Sequence, residues 1–491
     1  MRVMINEDCS NFFDTRYEKN IDVTEETLKS FIYQYRDTAI TDFAMNVNCA
    51  VSSFPSNVIE SLQDKYLSKS ENGYKVDYSN SLAKTAYDIF ITKKLDMYRI
   101  WIDALHEIGK KAWISFRMND CHCTLENYSL FKNSKIEDCR HLWRESHREP
   151  DYFGKCLNYG DERVREIAYS YLRETLDRYD PDGIELDFMR ELLLFAPGGE
   201  NRNIMTDFMK NVKAIVKQAE QKYGHSIAIS IIAAAEPKTN FEAGLDIAKW
   251  AKSGLIDSVC AMIRWETVTT DVPVEFWKSL LGDIPFAAGQ QLMFRSSREA
   301  ETVISDVDMA FGQAVSALSR GADFVYLYNY FDLTEAALNP FMHDTAIRPV
   351  PKEFMQSAGS LTELKKHPRR YPLTYDDSPN YWERVNCRLP IEFTTNNFET
   401  FRISTGDLSG DCVLLQLGCD AELSADDFEV YVNGRAAEIA SPIPDRNIYI
   451  KQWYAFSIFP KACEKHQVAE IRIKKPCRVE YAEIYAMHNI S

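Results

Sequence analysis

The sequence predicts an α/β protein: a (β/α)8 TIM barrel followed by a C-terminal antiparallel β-sandwich domain. Over roughly the first 350 residues, short apolar runs alternate with longer stretches of helical period, which is typical of a parallel sheet with crossover helices. Beyond that point, short alternating strands are separated by turn residues, which is typical of antiparallel sheets. We therefore expect residues 1–350 to form the barrel, 351–370 a linker and 371–491 the sandwich.

Eight apolar runs in the first part are the predicted barrel strands, because eight βα units over about 350 residues match a closed barrel with insertions. The runs are Arg2–Asn6, Ile40–Asn46, Lys111–Arg117, Gly183–Asp187, Ser226–Ala233, Ser258–Ile263, Phe286–Gln291 and Phe324–Asn329. The helix candidates between them are Thr24–Arg36, Met97–Ile108, Asp161–Tyr179, Ile204–Tyr223, Leu245–Ser253 and Thr302–Ser319. A doubly wound open sheet is the alternative, but no glycine-rich phosphate turn follows the first run.

Two connections are much longer than ordinary βα loops. Cys49–Leu95 follows the second run and Asp120–Asn158 follows the third. Both are expected to cover the C-terminal face of the barrel, where barrel enzymes build their sites.

The C-terminal part begins with a basic, proline-bearing stretch, Lys365–Pro372, which we interpret as a linker. Short strands follow, with a hairpin turn at Asn433-Gly434. The predicted strands are Ile391–Thr394, Phe401–Ser404, Cys412–Leu417, Phe428–Val432, Tyr454–Phe459, Glu470–Lys474 and Val479–Ile484. We expect this domain to pack on the barrel, since its strands need a partner face for their apolar side chains.

The composition limits the classes of partner. The chain has 491 residues and a formal net charge of −16, which disfavours nucleic acid and anionic membranes. No apolar run reaches the roughly 18 residues of a spanning helix, and the twelve cysteines lack paired spacing. We expect a cytoplasmic protein that binds a carbohydrate and needs no cofactor.

The strongest local signal is the segment around the fourth run. Side chains alternate along a strand, so Glu185 and Asp187 share one face and, in a closed barrel, point into the lumen. Asp187 lies at the C-terminal end of that run. A structural ion pair with Arg190 is the alternative to a catalytic role, but two inward carboxylates are costly to bury.

This segment carries a family resemblance. Asp182–Arg190 (Asp-Gly-Ile-Glu-Leu-Asp-Phe-Met-Arg), Gly244–Trp250 and Gly254–Asp257 resemble the glycosyl-hydrolase-like barrel proteins labelled family 10-like. The resemblance implies a barrel fold and glycan chemistry. The first segment is also similar to the fourth-strand motif of chitinase-type glycosidases, but Met189 stands at the acid position, which counts against a substrate-assisted mechanism.

Glycoside hydrolysis usually needs a second carboxyl group beside Asp187. Glu236 follows the fifth run and precedes Pro237, and a strand-four nucleophile with a strand-five acid resembles alpha-amylase-type barrels. Glu236 is therefore the first candidate for the acid, ahead of Glu266, while Glu7 and Asp8 come third. For a retaining pair we expect the carboxyl groups about 5–5.5 Å apart.

Four arginines recur near predicted strand ends: Arg117, Arg190, Arg264 and Arg295. Together they would bind an anionic sugar bearing a uronic acid or sulfate. The alternative is that they neutralise the nearby carboxylates Glu185, Asp187, Glu191 and Glu266.

Aromatic and amide side chains complete the predicted substrate site. Trp265, Tyr328 and Tyr330 could stack on sugar faces. The amides that could bind hydroxyl groups are Asn46, Asn48, Asn119, Gln290, Gln291 and Asn329. Cys121-His122-Cys123, with Cys139 and His141, has poor zinc spacing, so we expect no metal and interpret His122 as a substrate contact.

These features predict a retaining glycoside hydrolase with Asp187 as nucleophile and Glu236 as acid/base. Two alternatives remain. The first is a glycan-binding barrel without catalysis, suggested by Met189, and the second is a sugar-acid lyase or isomerase in which the arginines hold a carboxylate.

Overall fold

The computed structural model of the chain describes residues 1–18, 20–70, 78–122, 133–141, 156–196, 198–263, 268–291, 293–294, 296, 303–329, 352–373, 389–394, 397–444, 448 and 450–488. Within this part of the chain, eight parallel strands form a closed barrel in which each strand pairs with the next and the last pairs with the first. The strands are β1 (Val3–Glu7), β2 (Asp42–Asn46), β3 (Lys111–Arg117), β4 (Gly183–Asp187), β5 (Ala228–Ala234), β6 (Ser258–Met262), β7 (Phe286–Gln291) and β8 (Val325–Tyr328). The predicted barrel is confirmed, and every strand boundary agrees with its predicted run to within two residues.

Helices follow the strands and surround the barrel. They are α1 (Cys9–Glu18), α2 (Glu25–Tyr33), α3 (Leu62–Ser70), α4 (Tyr78–Tyr87), α5 (Met97–Glu107), α6 (Glu162–Arg178), α7 (Arg202–Tyr223), α8 (Pro237–Glu242), α9 (Ile247–Lys252), α10 (Val274–Leu281), α11 (Val307–Arg320), α12 (Lys352–Ser357) and α13 (Leu361–Leu364). No helix of the described ranges is long and apolar enough to cross a bilayer.

The helix ends follow from local chemistry. Helix α7 begins after Asn201, whose side chain accepts hydrogen bonds from the N–H groups of Asn203 and Ile204. It ends at Gly224, which has a positive φ of 79°. The stretch predicted as one helix, Thr302–Ser319, instead begins with the two-residue strand Val303–Ile304, and α11 starts after it.

The long loops contain structure of their own. Helices α3 and α4 and the π-helix Asp88–Thr92 lie in the connection after β2, beyond a small hairpin of Asn48–Cys49 with Val51–Ser52. In the connection after β3, Arg140–His141 pairs antiparallel with Cys156–Leu157. A third short pair, Met293–Phe294 with Val303–Ile304, follows β7.

The N-terminal end of the barrel lumen is closed by Arg2. Its guanidinium lies 4.8 Å from the ring centroid of Trp113 and 4.5 Å from that of Phe324. Its Nε atom is 3.3 Å from Oδ1 of Asp42. These contacts fill the bottom of the lumen, so a site in the lumen opens toward the C-terminal ends of the strands.

The C-terminal domain consists of two antiparallel sheets, as predicted. Its described strands are β9 (Arg369–Leu373), β10 (Ile391–Phe393), β11 (Glu399–Ser404), β12 (Asp411–Cys419), β13 (Phe428–Val432), β14 (Arg435–Ala436), β15 (Glu438–Ala440), β16 (Gln452–Ile458), β17 (His466–Ile473) and β18 (Cys477–His488). One sheet has the order β9-β18-β12-β16-β15, with β10 also pairing β18. The other has the order β11-β17-β13-β14, and buried aliphatic and aromatic side chains form the core of the domain.

Helix α11 of the barrel packs closely against β9 of the sandwich. A Cβ added at Gly312 would lie 2.0 Å from the carbonyl oxygen of Arg370, so only glycine fits at this contact. Arg402 forms a two-nitrogen ion pair with Asp271, and its NH2 atom is 2.7 Å from Oδ2. The expected packing of the sandwich on the barrel is confirmed by these contacts.

The stretch predicted as a linker contains α12, α13 and the first residues of β9. Arg369 and Arg370 are buried and form ion pairs with Asp411 and Glu483. The two arginines of Lys365–Pro372 thus belong to the sandwich and not to an exposed connection. The division of the chain at residues 350 and 370 stays a prediction.

Candidate functional site

Strand β4 directs two carboxyl groups into the lumen. Glu185 is fully buried, and its Oε1 accepts a hydrogen bond of 2.8 Å from Nδ2 of Asn6. Its Oε2 accepts one of 2.7 Å from the hydroxyl of Tyr326. Burial raises the pKa of Glu185 to about 7, because the charged form loses its hydration, although the hydrogen bonds work in the opposite direction. With this pKa, the carboxyl group of Glu185 titrates near neutral pH.

Asp187 lies one layer higher, at the C-terminal end of β4. Its Oδ1 accepts a hydrogen bond of 2.9 Å from the backbone N–H of Arg190, and its Oδ2 accepts one of 2.8 Å from the hydroxyl of Tyr328. Asp187 is 1% exposed, and burial raises its pKa. The hydroxyl of Tyr328 and the charge of Arg190 oppose that rise and stabilise the carboxylate.

Strand β8 supplies both tyrosines. Tyr326 and Tyr328 are two residues apart and share the lumen face, whereas Val325 and Leu327 pack toward the helices. Tyr326 was not predicted as a partner of Glu185, although its register two residues before Tyr328 places it there.

An ionic cluster lies beside Asp187. The side chain of Arg117 is 3% exposed, and its NH2 atom donates a hydrogen bond to Oδ2 of Asp8 at 2.6 Å. Asp120 lies 3.5 Å from a nitrogen of Arg117 and 3.5 Å from Nε of Arg190. Nδ1 of His122 is 2.7 Å from Oδ1 of Asp120. The cluster brings together four predicted site residues, Asp8, Arg117, His122 and Arg190, with Asp120 at its centre.

The cluster fixes the charge of its members. Burial favours protonated Asp8, but the charges of Arg117 and Arg190 and the hydrogen bonds from Ser10 and Arg117 together outweigh it and lower the pKa of Asp8 to about 2. The pKa of Asp120 is likewise held well below its ordinary value, against burial, by His122 and the two arginines. Burial lowers the pKa of His122 despite Asp120. Both arginines therefore have carboxylate partners within the protein, but these are Asp8 and Asp120 and not the carboxylates that the alternative interpretation named.

Three of the predicted amide side chains form hydrogen bonds with backbone groups of the protein. Asn48 accepts from the N–H of Arg117 at 3.0 Å and donates to its carbonyl at 2.9 Å. Asn119 donates to the carbonyl of Leu193 at 2.8 Å and accepts from the N–H of Leu157 at 2.7 Å. Nδ2 of Asn46 lies 3.4 Å from the carbonyl of Ser115. These amides position Arg117 and the surrounding loops.

Two predicted residues lie on the other face of their strands. Glu7 is in register with Met45, which packs in the helix layer, and Gln290 is in register with Leu327, which does the same. Because neighbouring residues in register share a face, neither side chain enters the lumen. Gln291, in register with Tyr328, faces the lumen and donates to the carbonyl of Ile263 at 3.0 Å.

The structure does not bring Glu236 into the Asp187 cluster. Glu236 precedes the first residue of α8, four residues beyond Ile232, the register partner of Asp187. Its charged neighbours are Asp271 and Arg402. Burial raises its pKa, the negative charge of Asp271 adds to the rise, and Arg402 opposes it. Its catalytic role stays a prediction.

Several predicted site residues lie outside the described ranges. These are Arg264, Trp265, Glu266, Arg295 and Tyr330, together with Cys123 of the Cys121-His122-Cys123 segment that was considered as a zinc site. Within the described ranges, no three His, Cys, Asp or Glu residues are grouped so that they could hold a metal ion.

The residues that resemble the chitinase-type motif lie at both ends of β4, with Asp182 before the strand and Met189 after it. Asp182 precedes the strand, where its Oδ2 accepts from the N–H of Ala112 at 2.8 Å and lies 2.8 Å from Nε2 of His106. It therefore fixes the N-terminal end of the barrel. Met189 is fully buried in the lumen cluster that includes Met4 and Cys260.

The fold and these contacts define a class: a closed (β/α)8 barrel with a buried carboxylate, tyrosine and arginine centre at the C-terminal ends of its strands. No family model matches the chain, and no curated protein matches it in sequence. The resemblance to family 10-like barrels thus stays a prediction.

Solved structures of similar fold include a glucanotransferase, a fucosidase and a galactosidase. A cycloisomaltooligosaccharide glucanotransferase from Paenibacillus sp. is 10% identical, with 98% of this chain and 57% of that chain covered and a TM-score of 0.35. An alpha-L-fucosidase isoenzyme 2 from Paenibacillus thiaminolyticus is 12% identical, with 74% and 47% covered and a TM-score of 0.39. A family 36 alpha-galactosidase from Geobacillus stearothermophilus is 13% identical, with 96% and 55% covered and a TM-score of 0.36. The chain spans about half the length of these proteins. Matches with identities and TM-scores this low assign no function to the chain.

Proposed function

We propose that the protein is a glycoside hydrolase in which Asp187 is the catalytic nucleophile. One observation carries this proposal: the Asp187 carboxylate lies at the C-terminal end of a central barrel strand, held by the Tyr328 hydroxyl and the Arg190 N–H. This end of a barrel is where catalytic groups lie in barrel enzymes. A buried carboxylate with a raised pKa and fixed donors is also typical of a functional site.

The contacts of Asp187 suit attack on an anomeric carbon. Each carboxylate oxygen accepts one hydrogen bond, so the group is oriented while lone pairs remain for the substrate. In the first step a carboxylate oxygen bonds to the anomeric carbon as the leaving oxygen takes a proton from the acid. In the second step water, deprotonated by the same residue, releases the sugar and regenerates Asp187.

Glu236 is the proposed proton donor, with Glu266 as the substitute. Burial and Asp271 raise the pKa of Glu236, which suits a general acid, whereas the pKa of Asp8 is lowered to about 2. A retaining pair of carboxyl groups is about 5–5.5 Å apart and an inverting pair about 6.5–9.5 Å apart. Glu236 lies four residues beyond the register partner of Asp187, so for Glu236 to act as the acid the loop after β5 must bring its carboxyl group to such a separation during the reaction.

Glu236→Gln separates these two candidates. If Glu236 is the acid, the variant loses most activity on natural glycosides and much less on activated aryl glycosides, because only the former leaving groups need protonation. An unchanged rate on both substrates moves the role to Glu266.

The proposed substrate is an oligosaccharide that bears a uronic acid or sulfate. In the described part of the rim, Arg117 and Arg190 are compensated by Asp8 and Asp120, so they add no excess positive charge. A preference for anions therefore depends on Arg264 and Arg295. Equal rates on neutral and acidic versions of one oligosaccharide would remove this part of the proposal.

Asp187→Asn tests the proposed activity, with Asp42→Asn as the matched control. Asp42 is also buried but lies at the opposite end of the lumen, where it accepts from Nε1 of Trp113 at 2.8 Å. Hydrolysis of a glycoside panel should be lost in Asp187→Asn and kept in Asp42→Asn.

A glycan-binding barrel without catalysis is the second candidate. It is favoured by Met189, which fills the lumen position where chitinase-type enzymes carry their acid. A binder would retain glycan affinity in Asp187→Asn while neither form turns over substrate. A sugar-acid lyase or isomerase would instead yield an unsaturated or rearranged sugar in product analysis.

A further inference from the structure

Two buried cysteines lie in contact beside the ionic cluster. Cys121 follows β3, and Cys156 begins the short strand Cys156–Leu157. Their Sγ atoms are 3.2 Å apart, although 35 positions separate them in the sequence. Neither the fold nor the proposed hydrolase chemistry requires this contact.

We propose that Cys121 and Cys156 form an oxidisable thiol pair, and that a disulfide between them clamps the loop that carries Asp120 and His122. A disulfide needs a sulfur separation of about 2.05 Å, so the two atoms must approach by about 1.2 Å. We expect rotations of the two cysteine side chains to supply this shift.

A hydrogen bond already holds the two backbone segments together. Oδ1 of Asn119, two residues before Cys121, accepts from the N–H of Leu157, the residue after Cys156, at 2.7 Å. Nδ2 of Asn119 donates to the carbonyl of Leu193. The loop is thus positioned before the covalent bond forms, which favours this pair over cysteines that must first find each other.

A peroxide is the proposed oxidant, because a small molecule reaches a buried thiol more readily than a protein does. The thiolate of one cysteine attacks the peroxide oxygen, and the O–O bond breaks to give a sulfenic acid and water. The second thiolate attacks the sulfenic sulfur, forming the S–S bond and releasing a second water. In total, two thiols and hydrogen peroxide give one disulfide and two waters, with sulfur oxidised and peroxide reduced.

The clamp acts next to the ionic cluster. Asp120 precedes Cys121 and lies between Arg117 and Arg190, and His122 follows it with its ring on Asp120. Oxidation therefore ties this carboxylate and histidine to the Cys156–Leu157 strand. In the reduced protein non-covalent contacts hold the loop, among them the hydrogen bonds of Asn119 and the ion pairs of Asp120.

Peptide mapping of the full chain tests the proposal. The Cys123→Ser variant, which removes the neighbouring thiol, is treated with hydrogen peroxide or with a reducing agent, alkylated and digested without reduction. We expect a cross-linked peptide joining Cys121 to Cys156, about 2 Da lighter than the sum of the two reduced peptides. Hydrogen exchange of residues 119–122 should slow on oxidation and return on reduction.

Cys121→Ser and Cys156→Ser should each lose the cross-link, and the mapping of unsubstituted protein gives the answer even if one variant fails to fold. Cys260, buried in the lumen, is the internal control and should remain a thiol. A cross-link from Cys121 to another cysteine, or sulfinic acid at Cys121 without a cross-link, overturns the proposal. Bound zinc in a 1:1 ratio that shields both thiols until a chelator removes it overturns it as well.

Discussion

At the residue scale, two carboxyl groups and two tyrosines form matched pairs across the lumen. Glu185 and Asp187 are two residues apart on β4, and their partners Tyr326 and Tyr328 are two residues apart on β8. The lower pair is sealed among buried side chains, while the upper pair lies at the strand ends. The lower carboxyl group thus has a pKa raised to about 7, while the upper one has a pKa that burial raises and that Tyr328 and Arg190 hold back.

The proton held by Glu185 makes stability depend on pH. The pKa of Glu185 is raised from an ordinary value of 4.5 to about 7, so between these values the native state binds a proton that the unfolded chain has released. The free energy of unfolding should therefore fall as pH rises through this window, by on the order of 3 kcal/mol. In Glu185→Gln this contribution should disappear, as measured by urea unfolding between pH 5 and about 8.

Glu26→Gln, an exposed substitution on α2, serves as the control for loss of a surface charge. If Glu185→Gln and Glu26→Gln retained the same pH dependence as the unsubstituted protein, the assignment of a proton to Glu185 would be wrong.

Tyr328→Phe removes one of the two hydrogen bonds to Asp187. Without that donor the anion is less stabilised, so the pKa of Asp187 should rise and the acid limb of the pH-rate profile should move to higher pH. A charge-assisted hydrogen bond of about 1.5–3 kcal/mol corresponds to a loss of roughly 10- to 100-fold in rate.

Tyr326→Phe is the matched control, since it makes the same change at Glu185. If Tyr326→Phe shifted the acid limb and Tyr328→Phe did not, the roles of the two carboxyl groups would be reversed.

At the element scale, the alternation of side chains along a strand predicts their direction correctly where the two faces of the strand differ in polarity. It predicted the inward direction of Glu185 and Asp187, because Ile184 and Leu186 between them demand the apolar side. It did not predict that the side chains of Gln290 and Glu7 point away from the lumen, because a shift of one residue near a strand end changes the face on which a side chain lies. The ion pairs of Arg117 also escaped prediction, since Asp8 and Asp120 lie on different loops that only the closed barrel brings together.

Gly312→Ala tests the packing of α11 on β9. In an exposed helix this change stabilises by about 1 kcal/mol, because alanine has the higher helix propensity. Here the new Cβ would lie 2.0 Å from the Arg370 carbonyl oxygen, so we expect destabilisation by about 1–3 kcal/mol. Urea unfolding decides the sign, and a stabilised variant would contradict the close contact.

At the scale of the whole molecule, the sandwich is joined to the barrel by backbone, ionic and apolar contacts. Thr269 and Leu373 form an isolated antiparallel bridge, and Val268 and Met309 of the barrel pack with Tyr481 of the sandwich. The sequence predicted both domains from their periodicity. It could not predict that Arg369 and Arg370 are internal, because their acidic partners lie more than 40 positions away.

Limited trypsin digestion tests the burial of these arginines. Arg369 and Arg370 are 1% and 4% exposed, so the native chain should resist cleavage after them. Exposed Lys461, in the turn between β16 and β17, is the internal control and should be cut earlier. Early appearance of a C-terminal fragment that begins at Arg370 or Tyr371 would contradict the position of β9.

The central claim is that Asp187 performs the chemistry, and steady-state hydrolysis by Asp187→Asn measures it most directly. Natural and aryl glycosides are compared for the unsubstituted protein, for Asp187→Asn and for the Asp42→Asn control. We expect turnover to be abolished on both substrate types in Asp187→Asn, because a good leaving group does not replace a missing nucleophile. Near-normal rates in Asp187→Asn would contradict the account.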